Sequence, residues 1–114
     1  MKSIVLLALF ISTHANSANY ATCILDKVPG TSNSITYISI MEICLKEYPS
    51  AFKGVKQGSG GGLFGFKDGS ACTIKKAKDT PFTPAARTIQ IACNCLYEAS
   101  TLDGQLCPSM AEIK

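Results

Sequence analysis

No tryptophan occurs in this chain, and its only histidine is His14. The longest uninterrupted apolar run is the eight residues from Ile4 to Ile11. Each shortage excludes a class of function. Eight apolar residues fall well short of the roughly 20 that a membrane-spanning helix needs. Beyond residue 14 the commonest general base is missing altogether, which argues against acid–base and triad-type catalysis. Charge of either sign is scarce: 11 Lys and Arg stand against 8 Asp and Glu, a net +3. That excess is too small for nucleic acid or an anionic membrane to be the main partner. The carboxylates Glu42, Glu47, Asp68, Asp79, Glu98 and Asp103 form no recognisable pair, and scattered carboxylates belong on solvated faces and helix caps. An enzyme is not expected.

What is present begins with a leader pattern. Lys2 supplies a positive start, Ile4 to Ile11 an apolar middle, and Thr13-His14-Ala15-Asn16-Ser17-Ala18 a stretch of mostly small residues. Together they read as a signal peptide over residues 1–18, cleaved after Ala15, Ser17 or Ala18, and they predict a periplasmic or secreted product. Acylation of Cys23 is rejected: no leucine stands three residues before it, and lipidation would leave five cysteines. Removal of the leader takes His14 and Lys2 with it, leaving ten basic residues against eight acidic. The remaining chain, 19–114, has the size of one small domain.

All six cysteines lie in that remainder, and an even count in a short exported chain predicts a disulfide framework. A zinc site built on Cys93-Asn94-Cys95 and Cys107 would lack the paired short knuckles such sites use. No metal and no cofactor is expected.

The cysteines also carry a repeat. Cys23 and Cys44 are 21 positions apart, and so are Cys72 and Cys93. A shift of 49 residues lays Cys23 on Cys72, Lys27 on Lys76, Thr31 on Thr80, Ile40 on Ile89, Cys44 on Cys93 and Tyr48 on Tyr97. Six identities in 26 aligned positions point to a duplicated unit, about 19–49 and 68–98. Taken alone, residues 34–48 are ambiguous, because Ile35, Thr36, Tyr37, Ile38 and Ile40 favour a strand. Tyr37, Ile40, Met41, Cys44 and Tyr48 nevertheless fall on one helical face. The second copy decides for a helix: Thr83-Pro84-Ala85-Ala86 reads as a hydroxyl cap, an early proline and two strong helix formers. Each unit is then a short helix (Tyr20 to Val28; Ser70 to Lys78), a tight connection at Pro29-Gly30 or Thr80-Pro81, and a longer helix.

These hairpins predict the bridges Cys23–Cys44 and Cys72–Cys93, although the paired cysteines sit about 7 Å apart in level at 1.5 Å per residue. The connection or the crossing angle must absorb that step. Cys93 and Cys95 point to opposite sides of a helix, so Cys95 is assigned to Cys107, tethering the tail 99–114. The fold class expected is all-α: two duplicated disulfide-stapled helical hairpins in one small domain, in pseudo-two-fold relation, with a disulfide-tethered C-terminal tail.

Between the units lies a glycine-rich connector, 57–66, with five glycines from Gly58 to Gly65. It is not a phosphate loop, since Phe66 separates Gly65 from Lys67 and no Ser or Thr follows. Two readings stand: a linker whose Leu63, Phe64 and Phe66 pack over the seam between hairpins, or a mobile apolar loop presenting Phe64 and Phe66 to a partner or a lipid surface. Leu63, Phe64 and Phe66 are the candidate binding surface. Lys75, Lys76, Lys78 and Arg87 form a basic cluster read as a solvated face, and Tyr48 and Tyr97 as core aromatics.

The element Tyr20-Ala21-Thr22-Cys23-Ile24-Leu25-Asp26-Lys27, then Gly30, Ile40, Cys44 and Tyr48, resembles a pattern of small uncharacterised bacterial exported proteins. The resemblance implies export and helical structure and transfers no activity. Plant lipid-transfer proteins share a C-x-C on a helix, but their adjacent Cys-Cys pair is absent here, as is saposin-like spacing. The expected function is that of a small exported, non-catalytic binding protein: an inhibitor, an immunity-type protein or an accessory factor of the envelope, with a protein partner. The alternatives are a carrier of a lipid or small apolar ligand, or a membrane-active toxin, each using Phe64 and Phe66.

Overall fold

A computed structural model of the chain describes residues 18–60, 65–99 and 106–107. The expected signal segment lies outside these residues except for Ala18, and so do Leu63, Phe64 and most of the tail. Four helices form: α1, Tyr20–Lys27; α2, Ser34–Glu47; α3, Gly69–Ala77; and α4, Thr83–Tyr97. A short 3-10 turn, Ala51–Gly54, follows α2. No strand occurs among the described residues, only an isolated antiparallel bridge between Lys56 and Leu106. The strand-prone start of α2 is helical, as the second copy requires.

The caps explain where the helices begin. The Asn19 side chain accepts from the Thr22 N–H at 3.0 Å while the Thr22 hydroxyl accepts from the Asn19 N–H at 2.8 Å, a reciprocal capping box. Forty-nine residues later the Asp68 carboxylate accepts from the Ala71 N–H at 2.8 Å and caps α3, here without the reciprocal bond. Asn33 caps α2 through the Thr36 N–H at 2.9 Å. Helix α4 departs from expectation. Thr83 is not its cap; Phe82 holds that position with no side-chain bond, and its carbonyl accepts from the Ala85 and Ala86 N–H groups. Phe82 contributes a ring instead, set against Tyr37 with centroids 5.6 Å apart.

All three expected bridges are present: Cys23–Cys44, Cys72–Cys93 and Cys95–Cys107, with Cα separations of 5.8, 5.5 and 5.5 Å. With no cysteine left free, the chain is built for an oxidising environment. The step in level is absorbed in the connections. Gly30 takes a left-handed φ of +91°, a conformation costly for any residue with a Cβ. The Thr31 N–H then turns back to Val28 O, and Thr80 N–H to Ala77 O, at 3.0 and 3.1 Å. These two threonines, equivalent across the repeat, are both buried and tie the connections together: Gly30 N–H donates to Thr80 Oγ1 at 2.9 Å.

The pseudo-two-fold arrangement does not hold. Helix α4 is central, packed against both α3 and α1, while α2 packs on α1 and has no comparable contact with α3. The same asymmetry appears in single residues. Leu25 on α1 is buried, whereas Ile74, at the equivalent place on α3, is exposed. Material outside the helices breaks the symmetry. Phe52 of the 3-10 turn packs edge-on against Tyr20, with ring centroids at 4.8 Å, and so occupies the far side of α1.

The last turn of α4 is closed by the connector. Gln57 Nε2 donates to the carbonyls of Asn94 and Glu98 at 2.8 and 3.0 Å. The N–H groups of Gly58 and Gly60 donate to Cys95 O and Leu96 O at 2.8 and 2.9 Å. Three carbonyls of the last turn, those of Asn94, Cys95 and Leu96, thereby gain partners. The tail is fixed alongside by the Cys95–Cys107 bridge and by Cys107 N–H donating to Val55 O at 2.9 Å.

Candidate functional site

The connector holds part of the surface expected from the sequence. Phe66 is half-buried, and its ring meets Tyr97 edge-on, with centroids 5.4 Å apart. Gly60 and Gly65 fit around the same tyrosine. A Cβ on Gly65 would lie 2.6 Å from Tyr97 Cε1, and one on Gly60 would lie 2.9 Å from it, both inside contact distance. The two ends of the glycine stretch are therefore packed against α4. Leu63 and Phe64 lie between them, outside the described residues. Of the basic cluster, Lys75, Lys78 and Arg87 are exposed and Lys76 is half-exposed, as a solvated face requires.

A different surface emerges on α2. Cys44 is the only buried residue of this helix; Tyr37, Ile40, Met41 and Tyr48 are partly buried along the same side. The opposite side exposes Ile35, Ile38 and Leu45 by 77, 54 and 42%. At 100° per residue these three fall within about 80° of one another and form a row some 15 Å long. Ile43 is also half-exposed, at 50%, on the other flank of this side, and Ser39, Glu42 and Lys46 between them are polar.

The 49-residue offset supplies an internal comparison. Helices α2 and α4 begin at equivalent residues, and the counterparts of Ile35, Ile38 and Leu45 are Pro84, Arg87 and Asn94, all exposed. The same outward positions are thus apolar on α2 and lack large apolar side chains on α4. The sequence pattern masks this row, because the stripe from Tyr37 to Tyr48 by itself accounts for one helical face. The signal was there: a helix apolar on both faces in a chain too small to bury both.

Beside the row, α2 meets the 3-10 turn and leaves an open cleft of about 470 Å³. Tyr20 and Phe52 line it from one side and Met41 from α2. Pro49, Ser50 and Ala51 form a partition, with a second hollow of about 260 Å³ beyond them. Ala51 adopts a φ of +54°, unusual for a residue with a Cβ. Lys53 is the one charged residue in the lining. Burial holds the Tyr20 phenol above its ordinary pKa of 10.0, with the neighbouring Tyr37 adding to the shift, so this group stays a neutral donor at physiological pH.

Chemistry of other kinds has less to work with. Among the described residues no three His, Cys, Asp or Glu side chains converge on a place where a metal ion could sit. No helix among them is long and apolar enough to cross a membrane. No known protein family, no curated protein and no solved structure matches the chain.

Proposed function

We propose that this chain is a small, non-catalytic binding protein of the periplasm or cell exterior, released from a signal peptide at residues 1–18. Its contact surface for a protein partner is the outer row of α2: Ile35, Ile38 and Leu45. One observation carries this reading: these residues are exposed and apolar, whereas the equivalent positions of α4 carry Pro84, Arg87 and Asn94. If the two units arose by duplication, as the 49-residue offset and the matched helix starts support, the apolar row is a specialisation of the first unit. A row of large apolar side chains left in water on a helix face is a mark of a docking site.

Burying a docking row of this kind places its central residues among those that dominate an interface, each worth about 2 kcal/mol or more on truncation. The test is capture of the partner by the purified oxidised protein from envelope or culture fluid, followed by affinity measurement with variants. Ile38→Lys and Leu45→Lys, conservative for the helix, should each weaken the complex by roughly thirtyfold, which is that energy as a ratio. Undiminished affinity in both would refute this choice of surface. The connector surface of Leu63, Phe64 and Phe66 is tested in the same assay by Phe64→Ala; Phe66 is unsuitable because it packs on Tyr97.

A further inference from the structure

The cleft between α1, α2 and the 3-10 turn has the composition of a ligand site, and it is independent of the outer row. Of its lining residues, Met41 alone belongs to α2, and it lies on that helix's partly buried side. Three features distinguish it from an incidental hollow. Its volume, about 470 Å³, lies within the ~300–1,000 Å³ range of small-molecule sites. Its walls are apolar and aromatic, and the edge-on Tyr20–Phe52 pair fixes one of them rigidly. Its partition is held by an alanine in the left-handed region, a conformation that costs of order 1 kcal/mol or more and persists only where the surroundings impose it. Ala51 N–H donates to Tyr48 O at 2.9 Å and Lys53 N–H to Ser50 O at 3.1 Å, so this backbone is set rather than slack.

We infer that this cleft binds a small amphipathic monoanion, an apolar or aromatic body carrying one carboxylate. The body lies between Met41 and the Tyr20–Phe52 pair. The anionic group is met at the rim by Lys53, the sole charged residue of the lining, with the hydroxyl of Ser50, three residues earlier, in the same lining. A cationic ligand has no carboxylate to meet in this lining, and a strongly polar one would leave the aromatic wall unused.

The experiment is an NMR titration of the isotope-labelled, oxidised protein with two matched probes, 4-phenylbutyrate and 4-phenylbutan-1-ol. Saturable shifts centred on Tyr20, Met41, Ala51 and Phe52 are expected with both. The carboxylate should bind about fivefold more tightly, the size of one solvent-exposed ion pair. Lys53→Gln, an exposed position, should bring the carboxylate down to the affinity of the alcohol and leave the alcohol unchanged. Met41→Gln, which puts a polar group in the wall, should weaken both. The inference is overturned if neither probe gives saturable shifts in the cleft, or if shifts centre instead on Ile35, Ile38 and Leu45. It is equally overturned if Lys53→Gln leaves the preference for the carboxylate intact. Because no partner protein takes part, failure here is distinct from failure of the α2 surface.

Discussion

Gly65→Ala separates a packed connector from a loose one. The added Cβ would lie 2.6 Å from Tyr97 Cε1, 2.9 Å from Gly60 O and 3.4 Å from Tyr97 Cζ. Two of those contacts involve the Tyr97 ring, which is itself held by Phe66, and the third is backbone. Something must move, and overpacking of this kind costs about 1–3 kcal/mol. Alanine also restricts the unfolded chain and returns roughly 0.4–1 kcal/mol. The net expectation is a loss of about 1–2 kcal/mol. Urea denaturation of the oxidised protein reads it directly. With a slope of about 1 kcal/mol per molar for a domain this small, the midpoint should fall by roughly 1–2 M at constant slope. The ring is identified as the cause by a cycle with Tyr97→Leu. In that background most of the cost should disappear, leaving what Gly60 O alone imposes. A midpoint unmoved by Gly65→Ala, or an equal loss in the Tyr97→Leu background, would refute the packing of the connector on α4 and favour a free loop.

Three further perturbations test other joints of the structure. Replacing Cys23 and Cys44 by alanine opens a 21-residue span, for which chain entropy predicts a loss of about 3 kcal/mol. Hydrogen exchange should show α2 losing protection before α4, and uniform loss across both would contradict the peripheral place of α2. The Thr88 hydroxyl donates to Pro84 O at 2.9 Å and so receives its bond to Tyr37 from the phenol. A double-mutant cycle of Tyr37→Phe and Thr88→Val should therefore give a coupling of about 1 kcal/mol, and additivity would deny the bond. Tyr20, whose folded pKa is raised, contributes stability that is complete below pH 10 and lost as pH rises through the folded value. Thermal unfolding between pH 8 and 11 should thus fall more steeply for the parent than for Tyr20→Phe, and parallel curves would remove Tyr20 as the cause.

The sequence made the framework legible and left the arrangement dark, for identifiable reasons. Cysteine spacing and the 49-residue offset led to all three bridges, because a disulfide constrains residues that the chain itself marks. The same offset made α2 a helix against the strand propensity of Ile35, Thr36 and Tyr37, since Thr83 to Ala86 could only begin a helix. Which helix would be central was not encoded in either unit. It follows from Phe52 sitting against Tyr20 and from the connector closing the end of α4, contacts made by segments that have no counterpart in the repeat. The glycine stretch was misleading in a specific way. Glycine signals both looseness and close approach, and only the position of the Tyr97 ring shows that Gly60 and Gly65 serve the second purpose. The outer row of α2 was hidden because exposure depends on which neighbours a helix lacks.

That lack is what gives the row its significance. A 14-residue helix is marginal in water on its own, and exposed β-branched residues such as Ile35, Ile38 and Ile43 lower its propensity further. Most such helices hold their place by burying an apolar stripe, which leaves polar residues outside. Here α2 buries only Cys44 completely, and the bridge to Cys23 anchors it where burial would otherwise be needed. Tyr37 adds the second attachment, its hydroxyl on Thr88 and its ring on Phe82. With its position set by a covalent bond, Tyr37 and the partly buried Ile40 and Met41, the helix can keep Ile35, Ile38 and Leu45 in solvent without losing its seat. Helix α4, held by burial on several sides, has no such freedom, and its outward positions carry Pro84, Arg87 and Asn94. The staple that stabilises the first unit is therefore also what permits its apolar face, and the proposed binding surface lies on the helix whose attachment depends least on burial.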